Sequence, residues 1–124
     1  MKLMKCKHCG NVVEVVKDSG VPIVCCGENM QELTANTTDG AMEKHVPVAT
    51  LEGNTLHVEV GSVLHPMTAE HLIVAIFVVN GSKVLRANLD ETMPPMADFL
   101  VDAELGIEVY EYCNLHGLWK VDVK

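Results

Sequence analysis

Near the C-terminus a cysteine and a histidine stand three residues apart, in Glu111-Tyr112-Cys113-Asn114-Leu115-His116-Gly117-Leu118-Trp119. That spacing makes a compact two-donor loop. Gly117 permits the tight backbone path that lets both side chains converge. A thiolate beside an imidazole suits zinc, copper or iron better than calcium or magnesium. Three further histidines lie upstream in punctuated contexts: His45 in Glu43-Lys44-His45-Val46-Pro47, and His65 and His71 in Leu64-His65-Pro66-Met67-Thr68-Ala69-Glu70-His71. Pro47 and Pro66 stiffen the backbone beside two of them. Four imidazoles and one thiolate exceed a closed tetrahedral zinc site. The set suits iron with a sixth position left open for chemistry.

A second donor set opens the chain. Cys6-Lys7-His8-Cys9-Gly10 is a metal knuckle, and Cys25-Cys26-Gly27 completes a tetrathiolate group. Zinc and mononuclear iron both accept four thiolates. No βαβ pattern surrounds the CxxC, which argues against a thioredoxin-type redox pair. His8, inside the knuckle, is expected to face solvent. Adjacent cysteines diverge in extended backbone, so Cys25 and Cys26 can share one ion only with local distortion. The segment between the two pairs reads as a hairpin, residues 12–16 returning through Asp18-Ser19-Gly20 into residues 21–24. A unit this small needs its metal as a staple.

The elements that must carry the second donor set read as β throughout. Residues 28–41 are polar and small, and a domain boundary is expected near residue 36, giving units 1–36 and 37–124. Residues 55–60 alternate cleanly, with His57 on the polar side as a surface histidine. Residues 72–79 form a continuous apolar run, followed by the hairpin signal Asn80-Gly81 and a returning strand at 83–87. Residues 97–101 and 107–112 supply two more strands. Short strands, frequent turns and no long helical pattern indicate a β-sandwich. Met93 and Met96, around Pro94-Pro95, read as packing or loop residues.

Composition narrows the function classes. The chain has 124 residues, enough to bury a core without disulfides. No apolar run reaches membrane-spanning length, and the few residues before Cys6 leave no room for a signal peptide. The expected location is the cytoplasm, where five cysteines are better read as metal ligands than as disulfides. A net charge of −8 and only five aromatic residues argue against nucleic-acid binding.

These motifs, in this order, resemble the two-iron superoxide reductases, the desulfoferrodoxins, over nearly the whole chain. The first part is similar to desulforedoxin through Cys6-x-x-Cys9 and Cys25-Cys26. The second is similar to neelaredoxin through Glu43-Lys44-His45-Val46-Pro47, His65-Pro66-Met67, His71 and Cys113-Asn114-Leu115-His116-Gly117-Leu118-Trp119. One departure is the aliphatic run after His71, where the family often carries an aromatic-rich strand. The resemblance implies an all-β chain: a rubredoxin/desulforedoxin-like domain, then an immunoglobulin-like sandwich. It implies two iron ions per chain, one non-catalytic on Cys6, Cys9, Cys25 and Cys26. The other is held equatorially by His45, His65, His71 and His116, with Cys113 axial. It also implies a cytoplasmic homodimer, reduced by a rubredoxin-like donor, that converts superoxide to hydrogen peroxide in an anaerobe or microaerophile.

In that context Glu43 and Lys44 acquire roles. Glu43, two residues before His45, is a candidate carboxylate ligand for the oxidised ion. Lys44 is a mobile cation that draws in an anion and steadies it by hydrogen bonding. Without that context both would be ordinary exposed charges. Two other readings compete: an iron electron-transfer protein without turnover, and a zinc-stabilised binding module. Binding of azide or cyanide separates the first from an enzyme with an exchangeable position. Colour separates the second, because zinc sites absorb no visible light.

Overall fold

The computed structural model describes residues 1–124, and the chain falls into two units, Met1–Thr34 and Ala35–Lys124. In the first, β1 (Leu3–Lys5) is the middle strand of a three-stranded sheet. It pairs antiparallel with β2 (Val12–Glu14) on one side and with β5 (Gln31–Glu32) on the other. A separate ladder joins β3 (Val24–Cys25) to β4 (Glu28–Asn29). The hairpin expected between residues 12–16 and 21–24 does not form. β2 is taken by β1, a partner that local pattern did not reveal, and Pro22 lacks the N–H a paired strand would donate. Val16 and Val21 are left exposed in the connecting loop, where Lys2 and Asp18 form an ion pair at 2.8 Å. Only Leu3, Cys6 and Met30 are buried hydrophobic side chains here. That is far too little apolar burial to hold such a chain folded by itself.

The second unit is an immunoglobulin-like sandwich, as expected. One sheet has the order β10-β7-β6, from β6 (Pro47–Glu52), β7 (Thr55–Val60) and β10 (Met96–Leu100). The facing sheet has the order β12-β11-β8-β9, from β8 (Ile73–Asn80), β9 (Lys83–Asn88), β11 (Ile107–Cys113) and β12 (Gly117–Asp122). Alternation decides which side chains enter the core. Leu56, Val58 and Val60 do so from β7, Ile76 and Val78 from β8, and Ile107, Val109 and Cys113 from β11. His57 points the other way, between Asp98 at 2.5 Å and Glu59 at 3.0 Å, as a surface histidine should.

Two details differ from the expectation. A one-turn helix, α1 (Met42–His45), interrupts the β pattern before β6. It stops because Pro47 forces Val46 out of helical backbone, to φ −68° and ψ 120°. The β8–β9 turn is Gly81-Ser82, since Asn80 is still paired with Lys83. Asn80 is instead a buried clamp. Its amide donates to the carbonyls of Asp102 (3.0 Å) and Gly106 (3.2 Å), and its side-chain oxygen accepts from the Asp102 N–H (2.8 Å). No helix is long and apolar enough to cross a membrane.

Removing that clamp takes the side-chain partner from the Asp102 N–H and from the carbonyls of Asp102 and Gly106. Asn80→Ala is expected to destabilise the sandwich by about 2–3 kcal/mol. Denaturant unfolding followed by Trp119 fluorescence checks this, and a midpoint equal to wild type would show that water replaces the clamp without cost.

Candidate metal centres

The first centre lies in the small unit. Gly10, at φ 82°, closes the knuckle, and the Gly10 N–H donates to the Cys6 carbonyl at 2.9 Å. The Cys9 N–H points at the Cys6 sulfur at 3.5 Å. The distortion that adjacent cysteines demand falls on Cys26, whose φ of 51° lies in the left-handed region. Donor atoms of Cys6, Cys9, Cys25 and Cys26 all lie within 4.8 Å of one another. The Asn11 amide donates to the Cys25 sulfur at 3.7 Å. His8 is exposed, 3.6 Å from Glu28.

Without a cation four such sulfurs cannot all be anions. The Cys9 N–H draws the Cys6 thiol down to about 6, whereas contact with the sulfurs of Cys9, Cys6 and Cys25 pushes Cys26 up to about 12. A bound cation removes this conflict.

The second centre gathers His45, His65, His71, Cys113 and His116 at one end of the sandwich, again with donor atoms within 4.8 Å of one another. Each comes from a different local device. His45 ends α1, and its Nδ1–H donates to the Ala41 carbonyl four residues back at 2.7 Å. His65 follows β7, and its Nδ1–H donates to the Pro66 carbonyl at 2.7 Å. Because both partners are carbonyls, the ring hydrogen sits on Nδ1 and Nε2 keeps its lone pair. His71 closes a tight loop with Thr68, through main-chain bonds of 3.0 and 3.2 Å and the Thr68 hydroxyl at 3.1 Å. Cys113 ends β11 and His116 is the last residue of the three-residue tip between β11 and β12, closed by Gly117 at φ 81°.

The Cys113 sulfur lies 3.4 Å from Nε2 of His65 and 3.8 Å from Nδ1 of His116. Nε2 of His45 and of His71 are buried with no hydrogen-bond partner. Orphaned ring nitrogens aimed at a common point are what a missing cation leaves behind. Desolvation lowers the pKa of His45 and His71 and brings His65 to about 4, so all three are neutral at physiological pH. Neutral imidazoles and a sulfur are the protonation states a transition metal requires. The chemistry of both donor sets fits iron.

Glu43 and Lys44 lie exposed on α1, beside His45. Burial is the main cause of the lowered pKa of His45 and His71, and the Lys44 charge adds to it at both.

Several supports were not visible from spacing. The Asn114 amide donates to the Glu70 carbonyl (2.9 Å) and its oxygen accepts from the Leu72 N–H (3.0 Å), tying the Cys113 tip to the His71 loop. An asparagine between the Cys and the His of such a tip was the available signal. Glu111, on the core side of β11, has no partner for either carboxylate oxygen, and burial raises it to about 9, so it is neutral. Gly61 admits α1: a Cβ there would stand 2.8 Å from the carbonyl oxygens of Glu43 and Val46.

Fold and sites together define a two-centre metalloprotein, a thiolate-stapled β unit followed by a sandwich with a histidine-rich site. The chain belongs to the desulfoferrodoxin family: the desulfoferrodoxin profile matches residues 37–122 and the desulfoferrodoxin N-terminal domain profile matches residues 1–33. It is 46% identical over 117 residues to a desulfoferrodoxin of Clostridium acetobutylicum, covering 94% of this chain and 92% of that one. It is 44% identical over 121 residues to a desulfoferrodoxin of Nitratidesulfovibrio vulgaris, covering 98% and 95%. Among solved structures, the superoxide reductase from Treponema pallidum superposes with a TM-score of 0.77 at 32% identity, covering 96% of this chain and 98% of that one.

Gly61→Ala is expected to displace α1 and weaken metal binding at the histidine site by about tenfold or more, leaving the four-cysteine centre unchanged. Competition with a chelator, read by metal content, checks this. Equal affinity in the variant would mean that α1 yields without moving His45.

Proposed function

We propose that the chain is a superoxide reductase. Superoxide, one electron and two protons give hydrogen peroxide, without release of dioxygen. The site is the iron centre of His45, His65, His71, His116 and Cys113. The observation that carries this reading is the convergence of four imidazoles and one sulfur, with donor atoms within 4.8 Å of one another, beside the exposed Lys44 of α1. Five protein donors leave one position of a six-coordinate ion for an exogenous anion. Iron bound there supplies the electron by cycling between its ferrous and ferric states.

The chain's residues do the rest. Cys113, as thiolate, is the strong electron donor among the five, and its burial keeps solvent from the sulfur. His45 and His65 are held in one tautomer by the carbonyls of Ala41 and Pro66, so no ring reorientation accompanies turnover. Lys44 attracts the anionic substrate and donates hydrogen bonds to it. Glu43, on the same turn, would offer its carboxylate as a further ligand to ferric iron held there. Cys6, Cys9, Cys25 and Cys26 hold a second iron that does not meet substrate. Cysteines gathered into two metal-ligand groups are in keeping with a reducing, cytoplasmic setting. A rubredoxin-like donor and a homodimer are part of the same proposal, supported by the family likeness.

Cys113→Ser is expected to abolish superoxide reduction while the visible spectrum of the four-cysteine centre persists. Loss of both spectra together would show that the centres are not independent.

Electrostatics offers a second test. The net charge of −8 repels an anion at long range. Ferrous iron with one thiolate and neutral imidazoles is a local positive charge, and Lys44 adds another. Within a Debye length, roughly 10 Å at 0.1 M salt, the local field governs. The second-order rate of the reduced enzyme with superoxide is therefore expected to fall as salt rises. Lys44→Ala should flatten that dependence, and Lys44→Glu should slow the reaction further. A wild-type rate that climbs with salt, or a Lys44→Glu variant as fast as wild type, would reduce Lys44 to a surface lysine.

A further inference from the structure

Two of the histidines are held from outside by a single side chain that none of the chemistry above uses. Trp119, on β12, is buried. Its ring lies face to face with the His45 imidazole, centroids 5.1 Å apart and planes inclined by 26°. Its indole N–H donates to the main-chain carbonyl of His116 at 3.0 Å. One rigid ring thus touches a donor from α1 and a donor from the β11–β12 tip, which lie far apart in sequence.

The segment before α1 completes the arrangement. Asn36, at φ 63°, is laced to β12: its N–H donates to the Leu118 carbonyl (2.9 Å), and its side-chain oxygen accepts from the Lys120 N–H (2.9 Å). Two residues on, the Thr38 hydroxyl donates to the same His116 carbonyl that receives the indole N–H. Gly40 lies flat against both rings: a Cβ there would stand 3.2 Å from the His45 ring and 3.2 Å from the Trp119 ring. Ala41 then accepts the Nδ1–H of His45. Residues 36–41 and Trp119 close a circuit around His45 and His116.

We propose that Trp119 is a positioning residue that fixes His45 by stacking and His116 through its carbonyl, with Thr38 as second donor, so that together they set the ligand geometry at the histidine iron. This rests on the assignment of His45 and His116 as ligands. Burial alone obliges the indole N–H to find an acceptor; what marks a positioning role is that the acceptor is the His116 carbonyl while the ring faces His45. A carbonyl holding two donors cannot rotate without losing both, so the peptide carrying the His116 ring is locked. Partners that orient a metal ligand change metal affinity when removed.

The test separates the N–H from the ring. Trp119→Phe keeps an aromatic face on His45 and removes the donor, and Thr38→Val removes the other donor without touching the core. Iron-loaded proteins are compared by electron paramagnetic resonance of the ferric histidine centre and by the rate of iron loss to a chelator. The four-cysteine spectrum serves as internal control. Each single variant is expected to shift the ferric signal and to speed iron loss by roughly fivefold, about the worth of one neutral hydrogen bond. The double variant should shift further in the same direction. Wild-type resonance and release rate in Thr38→Val and in the double variant would overturn the proposal. If the assignment of His45 and His116 as ligands were wrong, His45→Ala and His116→Ala would leave the ferric signal and the iron content of this centre intact, which separates that failure from a failure of Trp119 to position them.

Discussion

The position of one sulfur atom constrains the rest of the larger unit. Cys113 ends a strand that is paired along both edges, to β8 and to β12, and its side chain is fully buried among core residues. The imidazoles come from loops and from α1, so they are brought to the sulfur. The register shift between Tyr112 and Cys113 marks where the ladder gives way to the site. Because hydrocarbon packs beneath the sulfur, the donors can open only away from the core.

The smaller unit is governed by charge rather than by packing. Its buried apolar side chains are few, and its sulfurs have conflicting proton affinities, from about 6 at Cys6 to about 12 at Cys26. A cation resolves the conflict and supplies the cohesion the core lacks. The same ion lets Cys26 keep a left-handed backbone that a non-glycine residue adopts only when something compensates.

The donors were legible because cysteine and histidine are scarce and their spacing is distinctive. The sandwich was legible because core-facing residues alternate. Strand partners in the small unit were not, since β2 pairs with Leu3–Lys5 through contacts that no local pattern encodes. Asn80 was misplaced by a turn signal that fitted equally well one residue later. Residues 28–41 read only as a polar stretch holding a domain boundary, and the fold lays Thr38, Gly40 and Ala41 against the histidine site. α1 is a single turn, too short to leave a helical period in the sequence.

The spacing of the ligands along the chain also bears on the order in which the protein is built. Cys6 to Cys26 lie on one short stretch, so closing that site costs little loop entropy and needs few residues to have left the ribosome. His45 to His116 span most of the second unit, and their donor atoms meet only when both sheets are in place. Non-local pairing of this kind is slow to form. The four-cysteine centre can thus take its ion while the chain is still being made, whereas the histidine centre must wait for a finished sandwich. A cell short of iron during synthesis would accumulate chains filled at the first centre and empty at the second.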